Sequence, residues 1–371
     1  MIILENPYVS DFLVETIKKN KFKVLDNEIS RKFFKVEELS SIEELKQDNL
    51  VYSNSENAIG LIDNEKIKSM IELSKDKALF REKLKPIYPN YFFKKVSLAE
   101  LKELDGSKLK FPLILKPNVG FLSFGVYPIY NLSNWDSTIK QLDNDIKKFE
   151  NIFPKNVVDT SSFLIEEMIE GVEFALDAYF DENSKATVLN IFKHPFFDKN
   201  DVSDRLYYTN KEIIKKYLVR FEQLLDKIGL LGNYKNFPFH LELRIQNDEI
   251  IPIELNPMRF CGWWITDIAH YCYGINVYEY YINKKRPNWD AILKNIKDDY
   301  FYFTIGEVPK TDGEIKEIDY EKFLKNIKNP LCIRKIDYKT KPVFAIVFAK
   351  TNSIEEMKNL LKLDMREFAI I

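Results

Sequence analysis

Two short runs in the second half of the chain constrain its folding more than any other feature. Pro238-Phe239-His240-Leu241-Glu242-Leu243-Arg244-Ile245 alternates strictly, with Phe239, Leu241, Leu243 and Ile245 apolar and His240, Glu242 and Arg244 polar. After Gln246-Asn247-Asp248-Glu249, a second run places Ile251, Ile253 and Leu255 on one face and Glu254 and Asn256 on the other. A period of two over this length specifies strands with one buried face, and the polar tetrapeptide between them reads as a turn. The pair therefore gathers two carboxylates, a carboxamide and nearby arginines on one side. That set suits a hard cation and a phosphate.

Register decides whether the carboxylates meet. Pairing Ile245 with Ile250 throughout would set Glu242 opposite Ile253, on the wrong face. A five-residue connection or a bulge sets Glu242 opposite Glu254 and His240 opposite Asn256. The second register is expected, because a slip of one residue inverts every side chain. Two carboxylates so close repel unless a cation lies between them. The plain alternative is an amphipathic hairpin with two solvated glutamates.

At 371 residues the chain is long enough for two or three domains, and 28 Phe and 20 Tyr supply ample core. Lys+Arg 55 against Asp+Glu 57 gives a net charge of −2, which argues against nucleic acid or an anionic membrane as partner. Cys261, Cys272 and Cys332 form no CxxC and suggest free thiols in a reducing compartment. Cys261 reads as a small packed residue before it reads as a nucleophile. His194, His240 and His270 lack metal-ligand spacing. The first residues, Met1-Ile2-Ile3-Leu4-Glu5, show no signal peptide, and no apolar run approaches membrane-spanning length. A soluble cytoplasmic protein is expected; oligomeric state leaves no mark on the sequence.

Residues 1–75 read as small α/β units, with strands at Ile2–Leu4, Phe22–Leu25 and Val51-Tyr52 around a helix through Asp11–Lys19; no GxGxxG occurs. A helix runs from Ser74–Lys77 through Leu84, then strand, loop and strand over Phe111–Val126, and a helix from Leu132 to about Lys148. Strands follow at Ser162–Ile165, Glu173–Phe180 and Ala186–Phe192, then a strong helix at Lys211–Ile228. Thr266–Tyr273 and Val277–Ile282 read as helices. The tail ends as strand Val343–Ala349, helix Ile354–Leu361 and strand Phe368–Ile371.

Two further elements carry chemistry. The apolar strand Phe111–Leu115 ends in Lys116 beside a loop holding Gly120, Ser123 and Gly125, where a lysine and backbone N–H groups can hold a phosphate. Ile165-Glu166-Glu167-Met168-Ile169-Glu170-Gly171-Val172-Glu173 joins two strands. Its backbone near Glu167 and Ile169 can meet an adenine edge, and Glu173 can accept from ribose hydroxyls. Taken singly, each is also an ordinary strand end or turn.

In this order, Asp76-Lys77, Lys116 with its loop, Glu166 to Ile169 with Glu173, and Glu242, Glu254, Asn256 and Arg259 resemble the ATP-grasp superfamily over about residues 70–285. The resemblance implies an α/β (α+β) ATP-grasp fold. Residues 1–75 would be a Rossmann-like pre-ATP-grasp domain. Residues 76–293 would be the ATP-grasp domain, with a small lid at about 95–165 and a larger antiparallel core. Residues 294–371 would be an α/β segment packed on that core. It further implies that Lys77, Lys116, Ser123, Glu166, Glu167, Ile169 and Glu173 bind ATP. Glu242, Glu254 and Asn256 would hold two Mg2+ ions, with Mn2+ as a substitute. Arg259 and Lys116 would act on the transferred group. The implied activity is a carboxylate–amine ligase working through an acyl phosphate on small molecules such as amino acids, releasing ADP and phosphate. The alternatives are a small-molecule kinase on the same scaffold and a non-catalytic nucleotide-binding protein. Trp263, Trp264, Tyr271 and Tyr273 read as core before they read as an acceptor pocket, and His240 as structural or substrate-contacting before a proton acceptor.

Overall fold

The computed structural model describes residues 1–120, 125–150, 159–198, 201 and 203–371. The strands in chain order are β1 Ile2–Ile3, β2 Tyr52–Ser53, β3 Phe93–Ser97, β4 Leu113–Val119, β5 Tyr127–Ile129, β6 Asp159–Glu167, β7 Val172–Phe180 and β8 Ala186–His194. They continue as β9 Leu206–Thr209, β10 Phe237–Gln246, β11 Glu249–Pro257, β12 Tyr300–Glu307, β13 Glu317–Ile318, β14 Pro330–Lys335, β15 Val343–Thr351 and β16 Ala369–Ile370. Eight of them form one antiparallel sheet, ordered β11-β10-β7-β8-β9-β12-β15-β14.

The two faces of this sheet differ because its strands alternate. On β7, Phe174, Leu176, Ala178 and Phe180 lie opposite Leu243, Leu241, Phe239 and Phe237 of β10, all fully buried. Helix Lys211–Gly232 covers that face, with Phe174 4.7 Å from Tyr217 and 5.6 Å from Phe221 between ring centres. Burying each such ring contributes about 1.5–3 kcal/mol. The intervening residues Glu173, Asp177, His240, Glu242 and Arg244 are thereby placed on the other face.

A second sheet, β3-β6-β4-β5, has its own apolar cluster. Leu113 and Leu115 of β4, Phe163 and Ile165 of β6, and Trp135 and Leu142 of helix Leu132–Glu150 fill it. Lys116 and Glu166 occupy the alternate positions, so they point away from this cluster.

Several expectations shift. Phe22–Leu25 forms only two isolated bridges, Val24 to Ile2 and Leu25 to Ser40. The chain then leaves the sheet, because Asn27 and Ser30 bond each other's backbone N–H (2.9 and 2.8 Å) and close a turn. Helix Glu65–Lys75 was not anticipated, although Ile67, Met70 and Ile71 mark its buried side. Asp76 separates it from helix Lys77–Leu84, whose N-cap it is. The helix expected at Thr266–Tyr273 begins at Ile268, after a 3-10 segment, Gly262–Asp267. The tail contains Val343–Thr351, helix Ile354–Asn359 and Ala369–Ile370 as expected. In it β12, β14 and β15 continue the same sheet as the hairpin. Among the described residues no helix is long and apolar enough to cross a membrane.

Candidate active site

The hairpin has the expected register: His240 lies opposite Asn256 and Glu242 opposite Glu254. The device is a bulge. From the turn, Ile245 pairs with Ile250, Arg244 with Ile251 and Leu243 with Pro252; the ladder then skips Ile253 before Glu242 meets Glu254. Arg81 secures it, donating from Nη1 to the Pro252 carbonyl (2.5 Å) and from Nη2 to that of Ile253 (3.3 Å). Tyr88 donates to the Ile250 carbonyl. Arg81 of helix Lys77–Leu84 and Tyr88 beyond it thus hold carbonyls of β11 at and beside the bulge that brings the carboxylates together.

Those carboxylates differ electrostatically. Burial and the neighbouring Glu254, then Glu173 and Asp204, push the Glu242 carboxyl well above its ordinary range. Burial also acts upward on Glu254, but the charges of Lys77 and Lys116 outweigh it and the net shift is downward. Lys77 Nζ lies 3.2 Å from Glu254 and donates to the Gly120 carbonyl (2.9 Å). Asn256 donates to Glu254 (3.2 Å), which leaves its Oδ1 as a third oxygen of the set. A divalent cation fits these residues: they offer hard oxygen donors, and its charge would offset the burial and the neighbouring carboxylates that push Glu242 upward. Among the described residues no three His, Cys, Asp or Glu side chains form a metal cluster; this set is two carboxylates and a carboxamide.

Glu166 is placed differently from the expected contact with nucleotide. Its two oxygens are taken by Lys116 Nζ (2.6 Å) and Arg81 Nε (2.6 Å), and it is 2% exposed. Burial alone would raise its carboxyl, yet Arg81 and Lys116 hold it down at about 2. Burial lowers Lys116, partly offset by Glu166 and reinforced by Arg81 and Lys77. Glu166 therefore orients Lys116. Arg81 escaped the sequence reading, although its i+4 spacing from Lys77 puts both on one helix face.

Along the same sheet face lies the β6–β7 connection. The Glu167 N–H donates to the Phe92 carbonyl (3.0 Å), and the Glu167 carbonyl accepts from the Tyr91 hydroxyl (3.0 Å). The Ile169 carbonyl accepts from Arg244 Nη1 (2.7 Å). Glu173 is fully engaged within the protein, with His194 Nδ1 at 2.9 Å on one oxygen and Arg244 at 2.9 Å on the other. His194 also stacks on Tyr207, 3.9 Å between ring centres, in keeping with a structural role. Ser123 lies outside the described residues. Gly171 has φ +102°, and a Cβ there would lie 2.1 Å from the Ile245 carbonyl oxygen. Gly171→Ala is accordingly expected to lower stability by more than about 2 kcal/mol in urea unfolding. A loss below about 0.5 kcal/mol would mean that the turn re-routes freely.

At the far end, Arg259 Nε and Nη2 reach Glu56 Oε1 (3.0 and 2.8 Å), and Lys75 Nζ holds Glu56 Oε2 (2.5 Å). Burial would raise Glu56, but Lys75 and Arg259 pull it down to about 2. No local pattern announces Glu56 or Lys75. Asp177 was also missed, although it shares a strand face with Glu173. Its Oδ1 lies 2.8 Å from His240 Nδ1 and accepts from the Cys261 N–H (2.7 Å). Burial and Asp177 push the Cys261 thiol well up, which suits a packed residue and not a nucleophile. Trp264 and Tyr273 are core, Trp263 and Tyr271 half-buried, and His270 is exposed beside Phe12.

Comparison with known proteins supports the fold. Residues 109–267 match the sequence family described as the ATP-grasp domain. The structure is similar to an L-amino acid ligase from Bacillus licheniformis, at 17% identity and TM-score 0.65, over 99% of this chain and 96% of that one. It is similar to N5-carboxyaminoimidazole synthase from Aspergillus clavatus in complex with ADP and 5-aminoimidazole ribonucleotide, at 14% identity and TM-score 0.65, over 97% and 96%. A biotin carboxylase from Campylobacter jejuni in a β,γ-ATP complex aligns at 12% identity and TM-score 0.63, over 94% and 87%. No curated protein sequence matches the chain.

Proposed function

We propose, from the ATP-grasp domain that this chain carries over residues 109–267, that it is an ATP-dependent carboxylate–amine ligase. The observation that carries the reading is the facing pair Glu242 and Glu254 beside Lys77 and Lys116 on one sheet face. Glu242, Glu254 and Asn256 would hold two Mg2+ ions, or Mn2+ in their place. When bound, such ions offset the repulsion between a carboxylate and the γ-phosphate.

The chain's own residues would do the rest. Lys77 and Lys116 neutralise phosphate oxygens, with Glu166 and Arg81 setting the direction of Lys116. The backbone of Glu167 and Ile169 would meet the adenine edge through the carbonyl lone pairs that Tyr91 and Arg244 do not take. Glu173, aimed by His194 and Arg244, borders the ribose, and Ser123 contributes to the phosphate loop. Arg259 orients the transferred phosphoryl group or the acyl phosphate. Both nucleophiles come from substrates, a carboxylate and then an amine, amino acids being the class we favour. The chain would divide into residues 1–75, 76–293 and 294–371, the last continuing the core sheet through β12, β14 and β15, with about residues 95–165 acting as the lid; the sheet β3-β6-β4-β5 and its separate apolar cluster support that lid. Three free thiols accord with a reducing, cytoplasmic setting.

A pooled amino-acid screen should give ADP and phosphate only when acid and amine are both present, and hydroxylamine should trap the activated acid as a hydroxamate. A stable phosphorylated product without free phosphate would replace the ligase with a kinase. Nucleotide binding without turnover of any pair would leave a binding protein.

A further inference from the structure

The Arg259 guanidinium is only partly used. It has five N–H donors in a planar fork. Nε and Nη2 go to Glu56 Oε1, and Nη1 donates to the Phe260 carbonyl (3.0 Å). One N–H on each of Nη1 and Nη2 remains. Two such groups can take an anionic oxygen or a pair of them, as arginine does with phosphate and carboxylate. Glu56 is itself held from both sides, since Lys75 occupies its second oxygen. The three side chains are 12%, 15% and 16% exposed, so the triad sits apart from bulk water with a net charge of +1. Glu56 lies 203 residues from Arg259, at the start of the 3-10 helix Glu56–Leu61 and outside the matched domain.

We propose that Glu56 is a positioning residue: with Lys75 behind it, it locks the Nε/Nη2 side of Arg259 so that the remaining Nη1 and Nη2 donors take an oxygen of the phosphoryl group being transferred. This rests on the ATP-dependent reading above. It makes residues before the matched domain part of the reaction centre. The rigidity of the fork is the physical gain, because a guanidinium oriented beforehand loses less freedom when it binds its anion.

A four-way comparison in the full chain tests this, with affinities for Mg2+·AMP-PNP and Mg2+·ADP measured by calorimetry for the parent, Glu56→Gln, Arg259→Ala and the double variant. Only the triphosphate analogue carries the group that Arg259 would hold. Glu56→Gln and Arg259→Ala are each expected to cut the preference for AMP-PNP over ADP about tenfold, the scale of one charge-assisted contact. ADP affinity should stay within about twofold, and the double variant should lose no more than Arg259→Ala alone. Glu56→Asp should recover part of the loss, and it replaces Glu56→Gln in the cycle if that variant does not fold. A full preference in Glu56→Gln beside a lost one in Arg259→Ala overturns the proposal and leaves the functional reading intact. Additive losses, or an equal fall for both nucleotides, also overturn it. A full preference in Arg259→Ala removes the role given to that arginine, and the proposal with it. A parent that binds neither nucleotide sinks the ATP-dependent reading itself.

Discussion

Glu254→Gln should reduce ADP release by at least about 100-fold, a loss of about 3 kcal/mol of transition-state stabilisation, while the protein stays folded. Glu254 is the carboxylate of the pair that Lys77 and Lys116 hold charged, and Glu242 is the one driven toward its protonated form. The net downward shift at Glu254 means that its charge is stabilised in the fold, so the carboxamide should lower the unfolding temperature, while the relief of its effect on Glu242 keeps the fall modest. Lys77 keeps its bond to the Gly120 carbonyl and is not left without a partner. Steady-state ADP release and a thermal melt on the same sample check both halves. Turnover within threefold of the parent would remove Glu254 from the proposed metal set.

The second large effect concerns stability. Glu166→Gln should destabilise the fold by about 3–5 kcal/mol at neutral pH, because Arg81 and Lys116 would lose the buried carboxylate they share. The acid dependence of the parent has the same origin. A carboxyl held at about 2, against an ordinary 4.5, contributes about 3 kcal/mol that is fully present above about pH 4.5. The contribution is lost as pH falls through 4.5 toward 2, since the unfolded chain binds the proton first. Glu56, also held at about 2, adds a loss of the same sign in the same window. Urea unfolding at pH 7, 4 and 3 should show the parent weakening and Glu166→Gln weakening less. A destabilisation below about 1 kcal/mol at pH 7 would mean that water or another acid replaces Glu166.

Much of the site was legible because its residues stand in local patterns. Alternation placed Glu242, Glu254 and Asn256 on one face, and the apolar strand placed Lys116 at its end. The register required a bulge, and the need to bury one face was enough to demand it. The residue that stabilises that bulge, Arg81, lies 171 positions from Pro252 and left only a helical spacing as a clue. Glu166 and Glu173 look alike in sequence as free acceptors, yet both are bound within the protein. Only their partners on neighbouring strands and on helix Lys77–Leu84 reveal this. The strands β9, β12 and β14 were missed. β12 is a nearly continuous aromatic and apolar run, buried on both sides, which periodicity does not separate from other buried segments.

By itself the sequence determined the two-strand acidic face and the order of basic, turn and acidic elements. Each follows from periodicities of two or 3.6 residues and from side-chain chemistry, and these act over a few neighbours. The tertiary structure alone decided which charges cancel: Glu166 between Arg81 and Lys116, Glu56 between Lys75 and Arg259, and Glu254 beside Lys77. Those pairings join residues from 19 to 203 positions apart, and all but Lys75–Glu56 link residues far outside one another's local pattern. Coulombic energy depends on separation in space and on burial, and no local pattern in a sequence records either.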